Sequence, residues 1–350
     1  MDTHRVLVTS VGGNVGQGII KSLRAGKRNY FVIGLDMESL AAGFSFVDSY
    51  YRVPKTGSPG FKENLCKIAR QERAEEIYVC SPSELEFFTI NKAELEREAD
   101  LAVFVNPPEV IHIGSDKLKT ATFLRDSGLP YPETVLASDD AGIERIVAGF
   151  GFPMVVKPRM GFSSRNVFFV NSTDEILAAR RLVPDLIVQR YIPDATLEFT
   201  AATVSGEDRT VRACIILHRD LIQGTTYRTE LVQNQNLTDR VIRIVETLGA
   251  VGVCNLQFRL LGEEIFVFEI NPRFSGSSGI RYLYGFNESE LVFELFRLGL
   301  DVRQPELSRA VVLRYWNEIL IPEATFDGLS QGDHKHNGTP IMFPKGPVPS

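Results

Sequence analysis

The order of hydrophobic and polar positions divides the chain into two textures. Through the first hundred residues, short apolar runs alternate with amphipathic or charged stretches. Residues 5–10, 31–36, 77–80 and 102–105 have the continuous apolar character of buried strands. A helix is expected over about 19–25, and a charged one over about 84–98. Strands alternating with helices at this spacing predict a parallel sheet covered on both faces. Asn106-Pro-Pro108 then interrupts the pattern.

Beyond residue 114 the periodicity changes. Residues 115–128 form a helical pattern, with Ser115 expected as N-cap and Gly128 as stop. Short strands are expected at 154–157, 167–170 and 186–190, around a helix over 173–182. Longer alternating runs occupy 197–204, 210–218, 253–261 and 265–270, the last two joined by the turn 261–264. This half is predicted to be α+β and largely antiparallel. After Pro322 the chain is rich in Gly, Pro and polar residues, and a loosely ordered tail is expected.

Composition adds bounds rather than chemistry. A chain of 350 residues suggests about two or three domains. The balance of 38 Lys+Arg against 44 Asp+Glu leaves a net charge of −6, which argues against a nucleic-acid-coating surface. The four cysteines are widely spaced and contain no C-x-x-C pair. There is no secretory signal pattern and no apolar run of about 18 residues. A cytoplasmic protein without membrane or nucleic-acid partners is expected.

Two regions suggest chemistry. Gly12, Gly16 and Gly18 follow the first strand and open a helix. Such a turn lets backbone amides approach a pyrophosphate, and Asp36 ends the second strand where a ribose could be held. An NAD(P)-dependent oxidoreductase or epimerase is one reading; the other is that the glycines serve a tight turn and close helix–sheet packing. Tyr51 and Lys55 have the spacing of a dehydrogenase Tyr-x-x-x-Lys pair, but they come too early and Pro54 opposes a helix there. His112 and His218 stand alone.

The second region is spread over three segments. Glu269 and Asn271 lie two residues apart on one strand, hence on one face, and Gln257 lies on the partner strand. These oxygen donors suit Mg²⁺ shared with phosphate, or Mn²⁺ in its place. Arg273 follows as a guanidinium fork for phosphate. Lys157 closes an apolar strand before a Gly/Ser loop, so that its ammonium and the amides of Gly161, Ser163 and Ser164 can cover nucleotide phosphates. Gln189, Arg190, Tyr191 and Ile192 end another strand and can offer backbone groups to an adenine edge, with Glu198 nearby for ribose hydroxyls. No Walker P-loop is present.

Together these segments resemble the ATP-grasp superfamily, specifically members like the synthetase unit of carbamoyl phosphate synthase. The most specific part is Glu269-Ile-Asn-Pro-Arg-Phe-Ser-Gly-Ser-Ser278, preceded by Asn255-Leu-Gln-Phe258. The resemblance implies Lys117 and Lys157 as the two nucleotide lysines, and Gln257, Glu269 and Asn271 as metal ligands. It further implies Arg273 on the transferred phosphate and Glu198 on the ribose. Arg190 departs from the family, since a hinge glutamate is common there. The implied architecture is a Rossmann-like pre-ATP-grasp domain (1–112), a lid subdomain (113–190), a metal-bearing catalytic subdomain (191–321) and the tail (322–350). The N-terminal domain of this family usually helps bind the acceptor substrate.

The implied activity is ATP-dependent carboxylate–amine (or thiol) ligation through an acylphosphate, releasing ADP and phosphate. The partners would be small carboxylates and amines, and a homodimer is expected by analogy. Arg281 and Arg228 are candidates for anchoring a substrate carboxylate, with Ser275 and Ser277 beside them. A nucleotide-binding regulatory protein without turnover is a third reading. The chain has the length of a single synthetase unit, whereas carbamoyl phosphate synthase duplicates that unit.

Overall fold

The computed structural model describes residues 3–161, 166–193 and 197–320. The chain divides into two compact units. Among the described residues, the first comprises those up to Asn106 together with Arg273–Ser308 and 314–320; the second comprises Pro107–Pro272 and Arg309–Leu313.

In the first unit, β1 (Thr3–Val8), β2 (Asn29–Asp36), β3 (Ser49–Arg52), β4 (Glu76–Tyr78) and β5 (Ala102–Phe104) form a parallel sheet ordered β3-β2-β1-β4-β5. Three helices, α1 (Asn14–Arg24), α2 (Phe61–Glu72) and α3 (Leu85–Ala99), connect them. Val6, Leu7 and Val8 are wholly buried, as the unbroken apolar run of a strand covered on both faces requires. The apolar pattern alone did not indicate β3 or α2. Helix α1 starts five residues before the expected position, so Gly16 and Gly18 lie inside it.

Close packing accounts for those two glycines. A Cβ on Gly16 would come within 2.6 Å of the Ser10 carbonyl oxygen, and one on Gly18 within 2.8 Å of the Gly279 backbone nitrogen. Through the second approach α1 packs on the short helix Ser278–Arg281, and Ser22 hydrogen-bonds Ser289 at 2.7 Å. Residues 273–308, grouped by the sequence reading with the metal-bearing subdomain, therefore belong to the first unit. Tyr51 lies on β3 and donates to Glu72, so it shares no helix with Lys55.

The second unit holds two antiparallel sheets. The smaller contains β6 (Thr134–Leu136), β7 (Met154–Pro158), β8 (Phe168–Val170) and β9 (Leu186–Arg190), ordered β6-β9-β7-β8. The larger contains β10 (Glu198–Ser205), β11 (Val211–Ile222), β12 (Thr225–Leu231), β13 (Gly252–Leu261), β14 (Glu264–Asn271) and β15 (Val311–Leu313), ordered β14-β13-β10-β11-β12-β15. Its helices are α4 (Pro108–Gly114), α5 (Lys117–Asp126), α6 (Asp140–Phe150), α7 (Thr173–Leu182) and α8 (Gln235–Leu248).

Helix α8 has no counterpart in the sequence reading. Asn234 caps it, Gly249 ends it at φ +74°, and Leu237, Val241, Ile244, Val245 and Leu248 form its apolar stripe. That stripe packs with Ala201, Ile216, Leu256 and Ile270 of the larger sheet. The N-cap of α5 is Asp116 rather than Ser115, because the Asp116 carboxylate accepts from the Leu118 and Lys119 N–H groups. Arg228, which the sequence placed in a loop over 223–228, lies on the strand Thr225–Leu231.

Candidate functional site

A cavity of about 520 Å³ in the second unit gathers residues far apart in sequence. Its wall includes Lys117, Lys157, Gly161, Gln189, Arg190, Tyr191, Ile192, Glu198, Gln257 and Glu269. Ser163 and Ser164 lie outside the described residues, as does the tail. Asn271 is buried at the end of β14.

Lys117 is the first residue of α5, and its Nζ donates to the Gly161 carbonyl at 2.9 Å. Burial acts to raise the pKa of the preceding Asp116, but bonds from Arg159 and the helix N–H groups outweigh it and hold this carboxyl below its usual value. Lys157 ends the apolar run of β7, where strand alternation turns it inward. It is 6% exposed, and its Nζ donates to Gln189 Oε1 at 2.8 Å. Burial, then repulsion from Lys117, brings its pKa from 10.5 to about 7, with Glu269 opposing. Lys117 is also lowered by burial, against the attraction of Glu269 and Asp116.

Glu198 begins β10 directly opposite Arg259. One of its oxygens accepts from Arg219 at 2.8 Å and the other from Arg259 at 2.9 Å. Arg219 also donates to Gln257 Oε1 at 2.9 Å, and Arg259 donates to the Ile192 carbonyl at 2.9 Å. The carboxylate expected to face ribose hydroxyls is thus already shared by two guanidinium groups. Sequence reasoning missed both arginines. The signal for Arg259 was its position two residues beyond Gln257, on the same strand face; Arg219 lies within β11, after its apolar run, without any motif. Arg190 pairs with Glu133 at 3.3 Å and lies 4.1 Å over the Phe150 ring.

The metal reading can be tested on the donor set. Gln257 and Glu269 are cross-strand partners, as are Asn255 and Asn271. Among the described residues Glu269 has no hydrogen-bond partner, while Gln257 Oε1 is engaged by Arg219. There is no group of three or more His, Cys, Asp or Glu side chains among the described residues that could hold a metal. One carboxylate with neutral carboxamides fits a divalent ion shared with nucleotide phosphates rather than caged by protein.

The remaining expected residues have other surroundings. Arg273, Ser275, Ser277 and Arg281 belong to the first unit, and Arg273 donates to the Phe274 carbonyl at 2.8 Å. Arg281 is fully buried and pairs with the equally buried Glu288 at 2.8 Å while donating to Ser275 Oγ at 2.9 Å. The expected carboxylate anchor is an internal ion pair that holds the serine-rich turn. Arg228 is half-exposed and pairs with Asp220 and Glu230.

At the N-terminal turn, Asp36 accepts from the Gly12 N–H at 2.8 Å, and Gly13 N–H donates to the Ser10 carbonyl. A Cβ on Gly12 would meet Ala41 at 3.1 Å. The glycines thus serve close packing, and the carboxylate proposed for ribose ties the turn to β2. Among the described residues no helix is long and apolar enough to cross a membrane.

Known proteins resemble this chain in sequence and in fold. Residues 114–277 match the model of the ATP-grasp domain family. The carbamoyl phosphate synthase large chain of Rubrobacter xylanophilus is 24% identical over 298 residues, covering 77% of this chain and 27% of that protein. The chain thus spans about a quarter of the length of this curated relative. Among solved structures, N5-carboxyaminoimidazole synthetase from Staphylococcus aureus complexed with ADP superposes with TM-score 0.65 at 14% identity, covering 89% of this chain and 80% of that one. The biotin carboxylase domain of Hydrogenobacter thermophilus 2-oxoglutarate carboxylase, in complex with MgADP, ADP and bicarbonate, gives 0.64 at 15%, covering 86% and 71%. The fold is therefore that of ATP-grasp enzymes, and residues 114–277 are similar to the ATP-grasp domain family.

Proposed function

We propose that this chain is an ATP- and Mg²⁺-dependent ligase that joins a small carboxylate to an amine or thiol and releases ADP and phosphate. The observation that carries the reading is one cavity holding a buried lysine, Lys157, and a half-buried one, Lys117, beside a carboxylate without a hydrogen-bond partner among the described residues. Lys117 and Lys157 neutralise the phosphate chain, and Gly161 lies where the first of them is anchored. The strand end at Gln189, Arg190, Tyr191 and Ile192 borders the nucleotide base. Glu198 orders Arg219 and Arg259 along the same wall. Gln257, Glu269 and Asn271 would hold Mg²⁺, which when bound supplies further neutralisation of phosphate charge. Arg273 is assigned to the transferred phosphate by resemblance. The ADP and MgADP complexes of the two structural neighbours support the nucleotide.

In the proposed reaction a substrate carboxylate oxygen attacks the γ-phosphorus and the bond to the β–γ bridging oxygen breaks, leaving ADP and an acylphosphate. The amine nitrogen then attacks the acyl carbon, phosphate departs, and the amine loses a proton. The protein positions reactants and neutralises charge, and needs no nucleophilic side chain. The test is ADP release in the presence of Mg²⁺, screened against pooled carboxylates and amines, with products identified by mass spectrometry. Lys157→Ala and Glu269→Ala should abolish turnover while the circular dichroism spectrum is retained. Full activity in either variant would remove these residues from the site.

A further inference from the structure

The first unit contains a second cavity, of about 500 Å³, which the ligase reading leaves unassigned. It opens at the carboxyl ends of the parallel strands. The segments after β1 (Ser10, Gly12) and after β4 (Ser81, Glu84) line it, on either side of the point where the strand order reverses. That point is where open parallel sheets bind ligands, and the volume suits a small molecule.

Hydrogen-bond valence restricts what can bind. Glu84 is 7% exposed and accepts from Thr9 Oγ1 at 2.6 Å, Ser10 Oγ at 3.0 Å, Thr56 Oγ1 at 3.4 Å and Ser81 N–H at 3.0 Å. A hydroxyl has one proton and two lone pairs, so Ser10 and Thr56, having donated to Glu84, can only accept from a ligand. The Gly12 and Gly13 N–H groups are engaged by Asp36 and the Ser10 carbonyl. A pyrophosphate would therefore find these donors taken. The one cation on the wall is Lys55, exposed and without an ion pair among the described residues. Met37 and Leu40, both on the wall, are 51% and 42% exposed and add an apolar side.

We propose that this cavity binds a zwitterionic amine of the amino-acid class. Its ammonium donates to the Ser10 and Thr56 oxygens, its carboxylate meets Lys55, and its apolar part lies against Met37 and Leu40. The site stands on the first unit alone; only its identification with the amine substrate rests on the ligase reading.

Calorimetric titration of the full chain without nucleotide tests this, with L-leucine, L-methionine, L-phenylalanine and L-alanine as probes beside 4-methylpentanoate and NAD⁺. At least one apolar amino acid should bind, and L-leucine at least tenfold more tightly than its des-amino analogue 4-methylpentanoate. Lys55→Met and Thr56→Val should each weaken binding about tenfold, while Lys157→Ala leaves it unchanged. Absence of amino-acid binding, equal binding of the des-amino analogue, or full affinity in Lys55→Met overturns the proposal, as does preferential binding of NAD⁺. If an amino acid binds here but never elicits ADP release, the site stands and its link to ligation falls. If other amines elicit ADP release and no amino acid binds, this inference alone falls.

Discussion

Lys157 offers a quantitative check on the nucleotide cavity. Its ammonium is buried, faces the charge of Lys117, and has a pKa near 7 instead of 10.5. That displacement corresponds to about 5 kcal/mol of lost preference for the charged form. The sign follows from proton counting. Between pH 7 and 10.5 the unfolded chain holds this proton more tightly than the folded one, so this group's contribution makes folding more stable as pH rises through that window. Bound phosphates act in the opposite direction by restoring the charged form. At pH 8 only about a tenth of the free protein carries the Lys157 proton, so binding ADP should take up about 0.9 proton. At pH 6 the Lys157 share of the uptake should be about 0.1 proton. Affinity should also weaken by nearly tenfold per pH unit above about pH 7. Calorimetry of ADP binding in two buffers of different ionisation enthalpy reads the uptake directly. Lys157→Met should remove the Lys157 share of it. An uptake near zero at pH 8, or an unchanged uptake in Lys157→Met, would refute both the placement and the electrostatic reasoning.

Two further predictions concern stability. Arg281→Leu should destabilise the first unit by about 3–5 kcal/mol by leaving Glu288 charged and buried, and Arg281→Leu with Glu288→Leu should recover a large part of the loss in denaturant titrations. If Arg281→Leu unfolds at the wild-type midpoint, the pair is not the internal support described. Gly18→Ala should lower the thermal midpoint, because its Cβ would strike Gly279 backbone at a cost of about 1–3 kcal/mol. Gly149→Ala, with open space in α6, should raise it through helix propensity worth up to about 1 kcal/mol; similar shifts in both would contradict the packing argument.

Much of the fold was legible because its signals are local. Continuous apolar runs marked β1 and β2, and the alternation of residues 253–261 and 265–270 with the turn between them marked the β13–β14 hairpin. The same hairpin made Gln257 and Glu269 readable as neighbours, since a tight turn sets their register. Helix α8 was overlooked despite a clear cap and stripe, and β3 is too short to show a period.

By itself the sequence determined the succession of a parallel α/β part and an antiparallel part, the lysines at the two strand and helix ends, and the Glu269–Asn271 pair. These depend on periodicities spanning a few residues. Tertiary structure decided what each group touches. Glu198 meets Arg259 because strands sixty residues apart pair in one register, and Arg219 reaches both Glu198 and Gln257 from a third strand. Gly18 is a glycine because Gly279 passes over it, and Arg281 is internal because Glu288 is buried beside it. Such contacts arise from chain crossings that no local pattern encodes, so a residue's type was readable in advance while its partner, and with it the charge it presents, was not.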